Sequence, residues 1–149
     1  MSIKNQLRDA LTAALRSGDT VRKTTLRMAL ASIKNAEVEA REELDEDLVL
    51  NLLQKEVKAR QETIEGAKQA NRPDLIEKAE IEINILNDFL PQQLSADELR
   101  ALVQEAIQES GASSMSEIGK IMGALMPKIR GRADGKEANK IVRELLNEE

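Results

Sequence analysis

The sequence predicts an all-α protein, and three observations lead to this fold class. Strong helix formers, chiefly alanine, leucine, glutamate, lysine, glutamine and arginine, dominate the 149 residues. Apolar residues recur with the period of an amphipathic helix, and the alternation typical of strands is missing. No Asn-Gly or Asp-Gly pair is flanked by strand-like runs, since Asp134-Gly135 precedes another helical segment. We therefore expect helices joined by short connections.

The first part of the chain is predicted to form four helices in an up-and-down bundle, because their connections are short. The first helix begins after Ser2 and ends at Ser17-Gly18, since glycine is favoured just beyond a last helical turn. Asp19 and Asp45 suit the caps of the second and third helices, and Pro73 suits the first turn of the fourth. The predicted apolar stripes are, in order, Ile3, Leu7, Leu11, Ala14 and Leu15; Leu26, Leu30, Ile33, Ala36, Ala40 and Leu44; Val49, Leu53, Val57, Ile64 and Ala67; and Leu75, Ile76, Ala79, Ile83, Leu86, Phe89 and Leu90.

The fourth helix has a wide apolar arc, because Ile81 and Ile85 flank its main stripe. An arc of this width indicates neighbours on more than one side of the helix. Burial inside the bundle and association between copies of the chain both account for it.

The segment Pro91-Gln92-Gln93-Leu94 interrupts the helical periodicity and is the predicted domain boundary. It separates a domain at residues 1–90 from a second domain at residues 91–149. A domain as small as the second buries a limited core, so its stability is expected to be marginal.

The second domain is predicted to contain three short helices. Three capping signals mark their starts: Ser95-x-x-Glu98, Ser114-x-x-Glu117 and Asp134-x-x-Glu137. Met126-Pro127 is expected to disturb the sixth helix near its end, because proline lacks a backbone donor. The predicted apolar stripes are Leu99, Leu102, Val103, Ala106 and Ile107; Ile118, Ile121, Met122 and Leu125; and Ala138, Ile141, Val142, Leu145 and Leu146.

The composition removes most catalytic chemistry. The chain has no Cys, His, Trp or Tyr, and Phe89 is its single aromatic residue. Without cysteine and histidine it has no thiolate nucleophile, imidazole base, zinc finger, haem ligand or iron–sulfur site. No dinucleotide or phosphate-loop fingerprint is present. We expect no catalytic residue and no small-molecule cofactor. The acidic residues 42–47 leave room for a loosely bound Mg²⁺, but nothing in the sequence specifies a metal site.

Three patterns that resemble catalytic or binding motifs have simpler explanations. The carboxylates at residues 42–47 and 80–82 are expected on a solvated surface, because nothing places two of them in different environments within one pocket. Ser113-Ser114 with Lys120 resembles a hydrolytic arrangement, but Ser114 has the spacing of a helix cap. Gly119-x-x-x-Gly123 is expected to allow close packing between helices.

The N-terminal segment runs directly into a charged helical pattern, so no signal peptide is predicted. No window approaches the run of about 18 apolar residues that a membrane span needs. These features predict a soluble cytoplasmic protein without a membrane partner.

The formal net charge of −5 conceals blocks of opposite sign. Residues 1–34 hold seven basic and two acidic side chains, and residues 120–143 hold the same numbers. Between them, residues 37–47 hold seven acidic side chains and one basic side chain. The acidity is therefore local, and two basic zones remain.

The second basic zone is the candidate RNA-binding site. Its predicted RNA-binding residues are Lys128, Arg130, Arg132, Lys136, Lys140 and Arg143. The last three fall at i, i+4 and i+7, so they form one stripe opposite the apolar side of the predicted seventh helix. A second basic row on the first two helices could add to this surface: Lys4, Arg8, Lys23 and Arg27. With Phe89 as the single aromatic residue, recognition would rest on backbone shape rather than base stacking. An ordinary solvated face explains the same pattern.

Two segments resemble the YqeY-like protein family. Phe89-Leu90-Pro91-Gln92-Gln93-Leu94-Ser95, followed by Glu98-Leu99, looks like the joint between the two domains of these proteins. A second segment is similar to their C-terminal motif: Met122-Gly123-Ala124-Leu125-Met126-Pro127-Lys128, Gly131-Arg132-Ala133-Asp134-Gly135-Lys136 and Val142-Arg143-Glu144-Leu145-Leu146. Residues 22–36 also fit the second helix of the family, so the resemblance covers nearly the whole chain. Within the C-terminal motif, we assign structural roles to Gly123, Gly131, Asp134 and Gly135.

The resemblance implies an N-terminal four-helix bundle and a C-terminal three-helix, UBA-like domain. The same unit forms the tail of GatB, a subunit of the glutamine-dependent aspartyl/glutamyl-tRNA amidotransferase, where it contacts tRNA while other domains perform the chemistry. This implies a non-catalytic tRNA-binding module associated with carbon–nitrogen ligation. The expected partners are tRNA and a complex of an amidotransferase or an aminoacyl-tRNA synthetase.

Two other functions compete with this interpretation. A protein-interaction adaptor would use the three-helix unit, with Met122 and Met126 on an adaptable apolar surface. A free-standing amidotransferase would turn over glutamine with misacylated tRNA, and the few catalytic residue types in the composition argue against it.

Overall fold

A computed structural model describes residues 2–147 and contains seven α-helices with no strand in that range. The predicted all-α class is therefore confirmed. The helices are α1 (Ile3–Ser17), α2 (Thr20–Ala40), α3 (Glu46–Gln69), α4 (Pro73–Asn87), α5 (Ala96–Ser110), α6 (Ile118–Ile129) and α7 (Gly135–Asn147), and a short 3-10 turn (Met115–Glu117) precedes α6. The chain divides into an N-terminal unit (Met1–Pro91) and a C-terminal unit (Gln92–Glu149).

The first three helices begin where the sequence predicts, and a side chain caps each of them. The side-chain oxygen of Ser2 accepts the backbone N–H of Asn5 at 3.2 Å. Asp19 caps α2 through the N–H of Arg22 at 3.0 Å, and Asp45 caps α3 in the same way. Each cap satisfies a backbone donor that the first helical turn leaves without an intrahelical partner.

Helix α2 ends earlier than the sequence pattern indicates. The predicted apolar stripe of this helix runs to Leu44, but Leu44 lies in the connection that follows α2. Arg41 adopts the left-handed conformation at φ 59° and terminates the helix. The carboxylate of Glu37 accepts the N–H of Leu44 at 3.1 Å and also binds the ammonium of Lys4 at 2.7 Å. The hydrogen bond from Lys4 is the main reason why the pKa of Glu37 is lowered. These contacts hold the connection against α1.

The core of the N-terminal unit is built from one apolar stripe of each helix. Its buried residues are Leu7, Ala14, Leu26, Ala29, Ile33, Val49, Leu53, Val57, Ile85 and Leu86. The wide arc of α4 is only partly buried, since Leu75 is 38% exposed and Ile81 is 42% exposed. Packing within this unit therefore does not account for the whole arc.

A buried arginine links α2, α3 and α4. Arg60 is 7% exposed, and its Nε donates to Glu82 Oε2 at 2.7 Å. Its Nη1 donates to Glu56 Oε2 at 2.8 Å, and the other carboxylate oxygen of Glu56 accepts the hydroxyl of Ser32 at 2.8 Å. The expectation that Glu82 belongs to a solvated acidic face is therefore wrong. Arg60 lies on the apolar stripe of α3, between Val57 and Ile64, which explains why its charge has to be paired.

The C-terminal unit has its own core, formed by α5, α6 and α7. Its buried residues are Leu99, Val103, Ala106, Ile107, Ala112, Ile121, Leu125, Ile129, Ala138, Ile141, Val142 and Leu146. The predicted capping box at the start of α5 is confirmed, because Ser95 Oγ accepts the N–H of Glu98 at 3.1 Å and Glu98 Oε2 accepts the N–H of Ser95 at 3.4 Å. Pro127 lies inside α6, which continues to Ile129.

None of the helices described in residues 2–147 combines the length and the apolar character needed to cross a lipid bilayer.

Candidate nucleic-acid interface

Helix α7 separates its charged side chains from its apolar ones. Ala138, Ile141, Val142 and Leu146 are buried in the core of the C-terminal unit. Lys136, Lys140 and Arg143 are exposed. Because they are four and then three residues apart, they form one row along about two turns of the helix. The structure thus brings together three of the six predicted RNA-binding residues, and we call them the α7 row.

The α7 row has no ion pair with a carboxylate in the described part of the chain. Arg143 Nε donates to the side-chain oxygen of Asn139 at 2.7 Å, which holds the guanidinium along the helix surface. Glu144 borders the row, but its carboxylate lies 3.7 Å from Arg100 Nη1 on α5. The positive charge of the row is therefore presented to solvent.

Lys128 and Arg132 are directed to other parts of the C-terminal unit. Lys128 Nζ donates to Glu109 Oε2 on α5 at 3.4 Å. Arg132 Nε donates to the backbone oxygen of Gln92 at 3.1 Å. Both cations are thus engaged by groups of the protein itself, so the structure does not place them in the α7 row.

The remaining predicted residues surround the turn between α6 and α7. Arg130 is exposed and follows the last residue of α6. Gly131 is buried at φ 75°, a conformation that favours glycine because a side chain would be strained there. The backbone oxygen of Asp134 accepts the N–H of Ala138 at 3.1 Å, and Asp134 Oδ1 accepts the N–H of Lys136 at 3.0 Å. Asp134 therefore helps to start α7.

Three other glycines of the C-terminal unit have different surroundings. Gly135 is the first residue of α7, and a Cβ at this position would lie 3.7 Å from Met126 Cε, an ordinary contact. A Cβ at Gly119 or Gly123 would meet no atom within 4 Å. The expectation that these two residues allow close packing between helices is therefore wrong within the C-terminal unit.

The turn at Gly131 is fixed to the segment that begins the C-terminal unit. Gln93 Nε2 donates to the backbone oxygen of Gly131 at 2.7 Å. The N–H of Leu94 donates to the backbone oxygen of Arg132 at 2.9 Å. Together with the bond from Arg132 to Gln92, these contacts position the turn from which α7 starts. The sequence pattern marked residues 91–94 as a boundary and gave no sign of this role of Gln93.

We expect Gln93→Ala to destabilise the C-terminal unit by about 1–2 kcal/mol, because the buried carbonyl of Gly131 loses a hydrogen-bond donor. Hydrogen exchange of the amides of α6 and α7 measures the change. Gln92→Ala is the matched control, since the exposed Gln92 takes part through its backbone oxygen. Equal exchange in the two variants would contradict this role of Gln93.

The other motif-like patterns of the sequence are not assembled as reactive sites. Ser114 Oγ lies 2.8 Å from Ser116 Oγ, whereas Lys120 Nζ donates to the backbone oxygen of Ser110. The carboxylate of Glu117 accepts the N–H groups of Ser113 and Ser114, and these bonds lower its pKa. Within residues 2–147, no group of three or more carboxylates could hold a metal ion.

The C-terminal methionines lie at the edge of the core. Met115, Met122 and Met126 are partly buried and pack against the apolar residues of the C-terminal unit. Core filling explains most of their surface, as expected for a flexible side chain in a small domain.

Comparison with known proteins places the chain among two groups of relatives. Altered inheritance of mitochondria protein 41, mitochondrial, from Pyrenophora tritici-repentis is 30% identical over 146 residues, which cover 95% of this chain and 79% of that protein. The protein of the same name from Lachancea thermotolerans is 36% identical over 118 residues, covering 77% of this chain but only 63% of that protein. A glutamyl-tRNA(Gln) amidotransferase subunit from Thermococcus gammatolerans is 39% identical over 59 residues, 37% of this chain and 9% of that protein.

These relatives correct the predicted cellular location. The fungal proteins carry the word mitochondrial in their names, which conflicts with a plain cytoplasmic assignment. The prediction was wrong because a charged, cysteine-free composition fits any reducing aqueous compartment and does not distinguish between them.

The family itself is shown by a match over almost the full length. The sequence model described as Yqey-like protein matches residues 4–146, which include both units and the α7 row. The relation to an amidotransferase subunit agrees with a domain of the GatB/YqeY type. The chain belongs to the YqeY-like family.

Proposed function

We propose that this chain is a non-catalytic tRNA-binding module that accompanies tRNA-dependent amidotransferase chemistry, with glutamine as the amido donor. The observation that carries the proposal is the exposed α7 row of Lys136, Lys140 and Arg143. Cations in such a row neutralise successive phosphates and release counterions, which supplies affinity without reading the sequence. The likeness to a glutamyl-tRNA amidotransferase subunit supports tRNA as the ligand and an amidotransferase complex as the partner.

The test is a triple charge reversal of the α7 row, Lys136→Glu with Lys140→Glu and Arg143→Glu. We expect the affinity for bulk tRNA to fall by roughly 500-fold near 100 mM salt, because about three phosphates are no longer neutralised. The slope of log affinity against log salt should become shallower by about 0.9 for each of these phosphates. Fluorescence anisotropy with labelled tRNA at several salt concentrations measures both quantities.

A second triple variant controls for net charge. Lys55→Glu, Lys68→Glu and Lys78→Glu reverse three exposed lysines of the N-terminal unit and change the net charge by the same amount. We expect this control to retain most of the tRNA affinity. Equal losses of affinity in the two variants would show a general charge effect and contradict a site on α7. Unchanged far-UV circular dichroism shows that each variant keeps its helices.

A shallow cavity favours one alternative function, a protein-interaction adaptor. It has a volume of about 330 Å³ in the C-terminal unit and is lined by Leu94, Glu98, Ala101, Leu102, Glu105 and Arg132. Its partly apolar lining suits an apolar side chain of a partner protein. Salt separates the two functions, because phosphate binding weakens steeply with salt and apolar docking does not.

A further inference from the structure

The outer side of helix α2 is strongly basic. Residues 20–36 contain four cations and no carboxylate. Arg22 lies 3.6 Å from Asp88, which follows α4, so one of the four is paired within the N-terminal unit. The other three, Lys23, Arg27 and Lys34, are spaced four and seven residues apart and therefore lie on one side of the helix, along about 16 Å. Arg27 and Lys34 are exposed, and Lys23 is half-buried.

Helix α1 adds a fourth cation to this side. Lys4 on α1 binds Glu37 on α2 at 2.7 Å, which fixes the register of the two antiparallel helices. Arg8 lies one turn after Lys4, and Lys34 lies about one turn before Glu37, so the two cations are neighbours across the helix pair. The lowered pKa of Glu37, caused mainly by the hydrogen bond from Lys4, also reflects the charge of Arg8.

These cations have no ion pair, unlike Lys4, Arg22, Arg60, Lys68 and Arg72 of the same unit. Lys23, Arg27, Lys34 and the exposed Arg8 form none with any carboxylate in residues 2–147, and the charge of Arg8 acts on Glu37, which Lys4 already pairs. On α3 and in the following turn, by contrast, Lys68 and Arg72 each bind a neighbouring carboxylate. Like charges along one row repel each other, and a polyanion relieves that repulsion.

The surroundings indicate which form of polyanion fits this row. Phe89, the single aromatic residue, is half-buried against the core of the N-terminal unit. Unstacked bases therefore find no aromatic surface, which disfavours single-stranded RNA. A row of cations held along about 16 Å of a helix can face several regularly spaced phosphates of an RNA double helix.

We infer that the α1–α2 hairpin carries a second phosphate-binding surface, formed by Arg8, Lys23, Arg27 and Lys34, which binds the backbone of double-helical RNA independently of the α7 row. The inference rests on the proposed RNA-binding function and extends it to the N-terminal unit. It corrects the row expected from the sequence, because Lys4 is committed to Glu37 whereas Lys34 joins the surface.

The experiment uses the full chain with Arg27→Glu and Lys34→Glu, two exposed residues without side-chain partners in the described structure. The probe is an RNA hairpin with a long perfect stem, titrated by anisotropy at several salt concentrations. We expect the salt slope to become shallower by about 1.8 and the affinity near 100 mM salt to fall by roughly 50-fold. Lys55→Glu with Lys78→Glu is the matched control and should bind nearly as the unchanged protein does.

Combining this double variant with the triple variant of the α7 row distinguishes the two surfaces. Multiplicative losses of affinity would support independent surfaces, since sites that do not interact contribute additively in free energy. If the double variant binds like its control while the α7 variant loses binding, this inference is wrong and the proposed function stands. If only the double variant loses binding, the α1–α2 surface stands and the site on α7 is wrong. No RNA binding by the unchanged protein would overturn both.

Two further probes test the class of ligand. Single-stranded RNA of the same length should bind more weakly than the hairpin, and equal binding would overturn the assignment to double-helical RNA. Vesicles with anionic headgroups should not compete with the hairpin for the protein. Vesicle binding that the double variant abolishes, without hairpin binding, would assign the surface to a membrane instead.

Discussion

Replacing Arg60 with alanine is expected to destabilise the N-terminal unit by about 3 kcal/mol, the largest effect we foresee for a polar residue of this protein. The guanidinium is 7% exposed and lies between the carboxylates of Glu56 and Glu82, at 2.8 and 2.7 Å. Its removal leaves two partly buried negative charges close together and opens a gap among α2, α3 and α4. Hydrogen exchange of amides in these helices measures the loss of stability, because it reports the opening of each part of a protein separately.

Two variants separate the effect of charge from the effect of packing. Arg60→Met keeps much of the volume but leaves the carboxylates unpaired, so it should remain strongly destabilised. The triple variant Arg60→Met with Glu56→Gln and Glu82→Leu removes all three charges. We expect this variant to recover much of the stability, as apolar replacements of buried ion pairs often do. Arg72→Ala is the control for an exposed ion pair and should change exchange little. Wild-type exchange in Arg60→Ala would contradict a structural role for the network.

Replacing Leu125 with alanine is expected to destabilise the C-terminal unit by about 3–4 kcal/mol. Leu125 is fully buried on α6, in the core that also holds the apolar side of α7. A unit this small has little stability in reserve, so the cavity should bring it close to unfolding at room temperature. Thermal unfolding followed by far-UV circular dichroism measures the effect. The part of the signal that comes from α5, α6 and α7 should be lost at a much lower temperature than in the unchanged protein.

Leu48→Ala is the matched control, because it removes the same atoms from a side chain that is 46% exposed at the start of α3. We expect only a small change in its melting curve. A C-terminal unit that melts normally in Leu125→Ala would mean that its core is not continuous around this residue. Displacement of the α7 row in Leu125→Ala should also weaken tRNA binding, since the row depends on the packing of α7.

The sequence identified most helix starts because they depend on nearby residues. Ser2, Asp19, Asp45 and Ser95 each accept a backbone N–H three residues further along the chain. Such bonds are local, so their spacing is visible without a structure. The same reasoning placed Lys136, Lys140 and Arg143 on one side of α7, because the helical period alone sets that relation.

Local patterns failed where the chain folds back on itself. Arg60 has the spacing of a core residue, but its partner Glu82 comes from another helix, so the ion pair could be found only in the structure. A cation in the middle of the apolar stripe of α3 was a usable signal that was missed. Likewise, the extent of burial on α4 depended on how the neighbouring helices cover it, which left Ile81 exposed.

The sequence by itself determined the all-helical class, the caps and the periodic rows of charge, because each depends on residues close in the chain. It also identified the family, through motifs spread over most of the chain. Only the tertiary structure decided which cations are available to a ligand. It directed Lys128 to Glu109, Arg132 to Gln92 and Lys4 to Glu37, in each case through a partner at least 19 residues away in the sequence. The charge of a side chain follows from the residue type alone. Whether that charge is available to a ligand depends on the partners that folding brings within hydrogen-bonding distance.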